Sequence, residues 1–119
     1  MKIHTKIWIE NDDGKLLVGE GRLKIFHAIL KTGSLSAAAR ELGMSYRAVW
    51  GKVRATEDRL GVELVKGMAG GAKHGGAVLT EEAVEFIRRF EEFSEKATET
   101  VEELAAKMLP EKFPEFEEK

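Results

Sequence analysis

Residues 33–60, GSLSAAARELGMSYRAVWGKVRATEDRL, constrain the fold more than any other stretch of this chain. An Ala-rich helix is predicted over Leu35–Leu42, stopped by Gly43. Ser45 then opens a second helix that runs to Leu60. Two helices joined by three or four residues, with Gly in the joint, make a helix-turn-helix. At 100° per residue Tyr46, Val49, Val53, Thr56 and Leu60 of the second helix cluster on a core side. Arg47, Gly51, Arg54, Ala55 and Asp58 point away, and Trp50 lies at the boundary. An outward face of Arg and small residues is what a helix entering a DNA major groove needs.

The surrounding sequence supplies a frame for that unit. Residues 2–10, KIHTKIWIE, alternate with period two, setting Ile3, Thr5, Ile7 and Ile9 on one face. Asn11-Asp12-Asp13-Gly14 is a turn signal and Lys15 to Val18 a return strand, so residues 2–19 are predicted to form a β-hairpin. Helix 1 follows over about 21–32, with Leu23, Ile25, Phe26, Ile29 and Leu30 as a broad apolar face. Gly33 suits the left-handed position that ends it, and Ser34 is a good N-cap for helix 2. Val62 to Lys66, a Gly-rich loop over 67–76, and Ala77-Val78-Leu79 read as strand, loop and strand, which after a helix-turn-helix is a wing.

Thr80 caps a last helix predicted over 81–108, about 42 Å long at 1.5 Å per residue. Its apolar stripe is Phe86, Phe90, Phe93, Ala97, Val101, Leu104 and Met108. The steps average near 3.67, closer to a straight helix than to the 3.5 of a long left-handed coiled coil. A helix of this length projects past a domain of this size, and a second chain would give its outer turns something to cover. Pro110 and Pro114 end it. The expected fold class is α+β, mainly α: a winged helix-turn-helix with an N-terminal β-hairpin and a long C-terminal dimerisation helix. Its parts are residues 2–80, the helix 81–109 and a charged tail 110–119.

Composition narrows the functions. The chain has 119 residues, which makes one domain the default, and no Cys, so it carries neither disulfides nor a thiolate metal site. No apolar run approaches the ~18 residues of a spanning helix, and the N-terminus is no signal peptide, so a cytoplasmic protein is expected, with no membrane partner. The net charge of −2 conceals an asymmetry. Residues 1–80 hold 13 Lys+Arg against 8 Asp+Glu, a balance of +5, and residues 81–119 hold 6 against 13, a balance of −7. Phosphate would attract the first part and repel the second. Lys73 follows Ala72 and precedes His74, which breaks the Walker A pattern, and no Gly-rich dinucleotide fingerprint occurs. His4, His27 and His74 are far apart and lack a metal-site spacing. No enzyme, cofactor or metal is expected.

Gly33-Ser34-Leu35-Ser36, Ala38-Ala39, Leu42-Gly43 and Ser45-Tyr46-Arg47 with Trp50 resemble the N-terminal winged helix of ModE-type molybdate-responsive regulators. The run from Gly70 to Thr80 is similar to that family's Gly-rich, basic wing. LysR-type DNA-binding domains are more distant relatives. The resemblance spans residues 2 to about 108. It implies a homodimer held by the long helix, with helix 3, from Ser45 to Leu60, in the major groove of double-stranded DNA and the wing on the backbone. Full-length members continue into molybdate-binding domains, which this sequence does not include. The expectation is constitutive regulation, a different effector, or association with a separate sensor protein.

The candidate DNA-binding residues are Ser34, Ser36, Ser45, Tyr46, Arg47, Lys52, Arg54, Lys73 and His74. Arg47 and Arg54 can donate in pairs to guanine O6 and N7, and Lys52 flanks them as a phosphate contact. Ser34 and Ser36 can reach phosphate or simply cap helix 2, and the two roles are compatible. Ser45 and Tyr46 open helix 3, where hydroxyls meet phosphates or base edges; Tyr46 equally suits the core. Trp50 is read as packing at the core edge. Gly51 costs on the order of 1 kcal/mol relative to Ala in a helix interior; close approach of another backbone is one reason to accept that cost, and mere tolerance fits equally. Lys73 and His74 lie on a loop whose glycines allow close backbone approach. The candidate dimer interface is Phe86, Phe90, Phe93, Ala97, Val101 and Leu104. Two other functions fit the same features: a winged-helix protein-interaction module and a low-specificity DNA-architectural protein.

Overall fold

The computed structural model describes residues 2–67 and 76–110. Among these, the order is β1 (Ile9–Glu10), β2 (Leu16–Val18), α1 (Glu20–Thr32), α2 (Leu35–Leu42), α3 (Tyr46–Leu60), β3 (Val65–Gly67), β4 (Ala77–Leu79) and α4 (Glu81–Met108).

Local chemistry sets the helix starts. Ser34 Oγ accepts from the Ala37 N–H at 3.1 Å, Ser45 Oγ from Ala48 at 3.0 Å, and Thr80 Oγ1 from Ala83 at 3.1 Å. Each satisfies one of the N–H groups a helix start leaves open. The joint between α2 and α3 turns on Gly43, whose φ of 67° is left-handed and open to glycine at least cost. Packing then holds the helices. Ile25, Phe26, Ile29, Leu35, Val49, Val53 and Leu64 are buried in one cluster with Ala38, Ala83 and Ile87. Burial of a large apolar side chain contributes about 1.5–3 kcal/mol and a cap about 1 kcal/mol, so caps place the helix ends while packing holds the fold together.

Two strand pairs flank the helices. β3 and β4 are antiparallel, with Val65 opposite Leu79 and Gly67 opposite Ala77. Ala77 N–H donates to Gly33 O at 2.7 Å, which fixes this hairpin to the joint between α1 and α2. Thr80 N–H donates to Leu64 O at 2.9 Å and its hydroxyl to Glu63 O at 2.8 Å. The start of α4 is thereby tied to the base of the hairpin.

The structure departs from the sequence reading in four places. The N-terminal hairpin is shorter than residues 2–19: only Ile9–Glu10 pairs with Leu16–Val18, around a turn in which Asn11 Oδ1 accepts from Asp13 and Lys15. A longer ladder would need residues after 19 to stay extended, and α1 begins at Glu20. Residues 2–8 instead run along α4, where Thr5 and Thr98 hydroxyls share a hydrogen bond at 3.0 Å. Ile3 lines a groove with Ala105 and Ala106, and Ile7 one with Phe90 and Ser94. The two-residue period survives there only in part: Ile3 and Ile7 are half-buried and His4, Lys6 and Trp8 exposed, but Thr5, expected on the covered face, is exposed too.

The strand expected from Val62 begins at Val65, because Val62 N–H bonds back to Glu57 O and extends the end of α3. Leu30, expected in the core, is 62% exposed, and Arg22 is buried instead. Arg22 Nε–H donates to the buried Thr56 Oγ1 at 3.0 Å, which gives both groups a partner inside the fold. Burial first, and then the Arg59 charge, push this guanidinium below its ordinary pKa. Phe90, grouped by spacing with the dimer stripe, is 5% exposed and packs within its own chain.

Candidate nucleic-acid interface

The caps and the Gly43 turn aim α3 outward. Val49, Val53 and Thr56 are fully buried beneath it, which leaves Arg47, Gly51, Lys52, Arg54 and Asp58 exposed. Arg47 and Arg54 are two turns apart, about 10 Å along the axis at 1.5 Å per residue. Tyr46 and Trp50 are partly buried and pack against the core.

The two arginines differ in their settings. Arg54 lies over the Trp50 ring at 5.5 Å from its centroid, and its guanidinium is 3.9 Å from Glu57 Oε1. An exposed cation–π contact is worth about 0.5–1 kcal/mol, so Trp50 restrains this side chain at least as much as the long ion pair does. Arg47 has no ion-pair partner among the described residues and is free to meet an anion or a base edge. Lys52 is likewise exposed.

Ser34 and Ser45 both serve as caps through their hydroxyls. Ser36 sits half-buried in the first turn of α2. Lys31 Nζ and Glu41 Oε1 meet at 2.6 Å and brace α1 against α2; this contact raises the lysine pKa. Lys73 and His74 lie outside the described residues.

Sequence reasoning passed over Glu57. It is 8% exposed, and its Oε2 accepts from Leu64 N–H at 2.8 Å and Val65 N–H at 3.1 Å. One carboxylate therefore joins the exposed face of α3 to the strand that opens the wing. The signal was available: Val49, Val53 and Glu57 form one i, i+4 row, and a carboxylate in an apolar row calls for buried donors.

On α4 the described side chains divide into two adjacent faces. Ala83, Ile87 and Phe90 are buried against the domain, and Ser94, Ala97, Thr98, Val101 and Ala105 are half-covered. His27 Nε2 and Glu91 Oε2 meet at 3.0 Å and link α1 to this helix. Phe93 at 54% and Leu104 at 53% remain exposed, with Phe86 half-buried. No described helix is long and apolar enough to cross a membrane. No group of three or more His, Asp or Glu among the described residues could hold a metal ion.

Residues 21–84 match the model of bacterial regulatory helix-turn-helix proteins of the lysR family. That span holds the whole of α2, α3, β3 and β4, and leaves β1, β2 and most of α4 outside. Over 63 residues the chain is 48% identical to the molybdenum-pterin-binding protein MopB of Rhodobacter capsulatus, covering 53% of this chain and 23% of that protein. Over 77 residues it is 30% identical to the molybdenum transport protein ModE of Azotobacter vinelandii, covering 65% and 28%. The chain thus spans about a quarter of the length of the curated relatives it matches. Its fold is similar to the crystal structure of a CbnR DNA-binding domain in complex with DNA, with a TM-score of 0.54 and 28% identity, covering 71% of this chain and 95% of that one.

Proposed function

The chain belongs to the lysR family of bacterial regulatory helix-turn-helix proteins, and from that membership we propose that it acts as a dimeric, sequence-selective DNA-binding regulator of transcription. In this reading α3 enters the major groove of double-stranded DNA. Arg47 and Arg54 read base edges, and Lys52 with the N-terminus of α2 at Ser34 and Ser36 meets phosphates. The β3–β4 hairpin is the wing, with its loop along the backbone.

The observation that carries the proposal is the outward face of α3. It presents an Arg without an ion-pair partner among the described residues and a second Arg restrained over Trp50, on a helix capped at Ser45 and anchored by Val49 and Val53. Positive side chains held on a rigid helix suit directional contacts, and each good bidentate pair with a base is worth about 1–3 kcal/mol of discrimination. A CbnR DNA-binding domain of similar fold was crystallised with DNA, which supports the same use here. Two relatives carry molybdenum in their names, but both are much longer than the match, so the proposal concerns the DNA-facing part alone. Dimerisation is assigned to the side of α4 that carries the exposed Phe93 and Leu104, flanked by the half-buried Phe86 and Ala97. A dimer presents two copies of α3 and predicts a two-fold operator.

Selection from randomised duplexes at a stated salt concentration tests the reading. A palindromic consensus is expected. Tight binding with no consensus would make the protein architectural, and no binding to any duplex would make it a protein-interaction module.

A further inference from the structure

Gly51 lies in the interior of α3, and nothing inside the chain requires glycine there. Its φ is not among the positive values, so left-handed freedom is unused. A Cβ built at this position would meet nothing within 4 Å. Gly19 is different, since a Cβ there would come within 3.0 Å of Trp8 Cβ. Gly21 shares the open surroundings but occupies the first turn of α1, where glycine interrupts less of the helix. Gly51 keeps a helix-weakening residue mid-helix, on an exposed surface, four residues after Arg47 and three before Arg54. That spacing puts all three on one face.

We infer that Gly51 is the point at which α3 comes nearest the floor of the DNA major groove, and that its missing side chain sets the depth from which Arg47 and Arg54 read bases. The inference rests on the DNA reading above. A helix with side chains is about 10–12 Å across, and the groove is about 12 Å wide and 8.5 Å deep, so an ordinary helix already fills it. A bare Cα in the middle of the inserted face lets the axis settle deeper by roughly the radius of a methyl group. The flanking guanidinium groups then reach base edges at bidentate distance. A methyl at position 51 would hold the helix off and lengthen both contacts together.

The test compares Gly51→Ala and Gly51→Leu with the wild-type full chain. Thermal melting is followed by circular dichroism, and competition titrations use a duplex obtained by site selection and a scrambled duplex at one salt concentration. Gly51→Ala is expected to raise Tm by a few degrees, as relief of a helix glycine does. The same variant should bind the selected duplex about tenfold more weakly, and Gly51→Leu more weakly still, with the scrambled duplex within about twofold of wild type. Gly51→Ala binding the selected duplex within about twofold of wild type overturns the inference. If Arg47→Ala weakens the preference for the selected duplex in that same case, the DNA reading stands and only the role of Gly51 falls. A wild-type chain with no preference for any duplex removes both.

Discussion

Glu57 Oε2 accepts the Leu64 N–H at 2.8 Å, so a carboxylate on α3 fixes the backbone that leads into β3. The same oxygen takes the Val65 N–H, and the other oxygen faces Arg54 at 3.9 Å. One buried side chain thus ties α3 directly to the start of the β3–β4 hairpin.

Glu57→Ala should destabilise the fold by about 1–3 kcal/mol, because two buried N–H groups lose their acceptor. Glu57→Gln keeps one carbonyl acceptor and should cost less. Urea unfolding of the three proteins measures the order. Equal stability of Glu57→Ala and wild type would show that water satisfies these donors and that the residue does not fix the wing.

Phe90 and Phe93 are expected to behave differently although both belong to the apolar stripe of α4. Phe90 is 5% exposed and Phe93 54%. Phe90→Asp buries a charge within the chain and should unfold it. Phe93→Asp places the charge on an open face, so the chain should stay helical and sediment as a monomer. A dimer that survives Phe93→Asp would move the interface off this face.

Much of this fold was legible in the sequence because local rules decided it. Ser34, Ser45 and Thr80 cap the helices that follow them, and Gly33 and Gly43 end helices in the left-handed region. The helix of 81–108 was visible in the spacing of its apolar residues. Features set by distant partners were not legible. Alternation in residues 2–8 gives a period of two but not the surface that receives it, here a helix and not a strand. The spacing of α4 groups Phe90 with Phe93, yet only the folded chain, which buries Phe90 and leaves Phe93 exposed, separates the face that is already covered. At the candidate interface the outward residues of α3 were readable, while the Glu57 link to Leu64 required knowing where the chain returns.

Glu85 gives a pH prediction for α4. Hydrogen bonds from Arg88 and Arg89 hold its carboxyl at a pKa of about 2, below the ordinary 4.5. A lowered carboxylate pKa contributes stability that is present above the unfolded value and is lost as pH falls through the folded one. Glu85→Gln should therefore lower Tm at pH 7, with the difference from wild type narrowing between about pH 4.5 and 2. The pair is exposed, so the effect should be small and reduced further by salt. A difference that persists unchanged at pH 2 would assign it to helix propensity and not to the ion pairs.

The most direct test of the account is a competition titration of wild type and Arg47→Ala against selected and scrambled duplexes across several salt concentrations. Arg47 projects from a rigid helix, so its loss should relax preference at one or two base pairs per half-site and leave scrambled binding nearly unchanged. A uniform loss of affinity across all duplexes, with a shallower salt dependence, would make Arg47 a phosphate contact. That result, or no effect at all, would contradict the placement of α3 in the major groove.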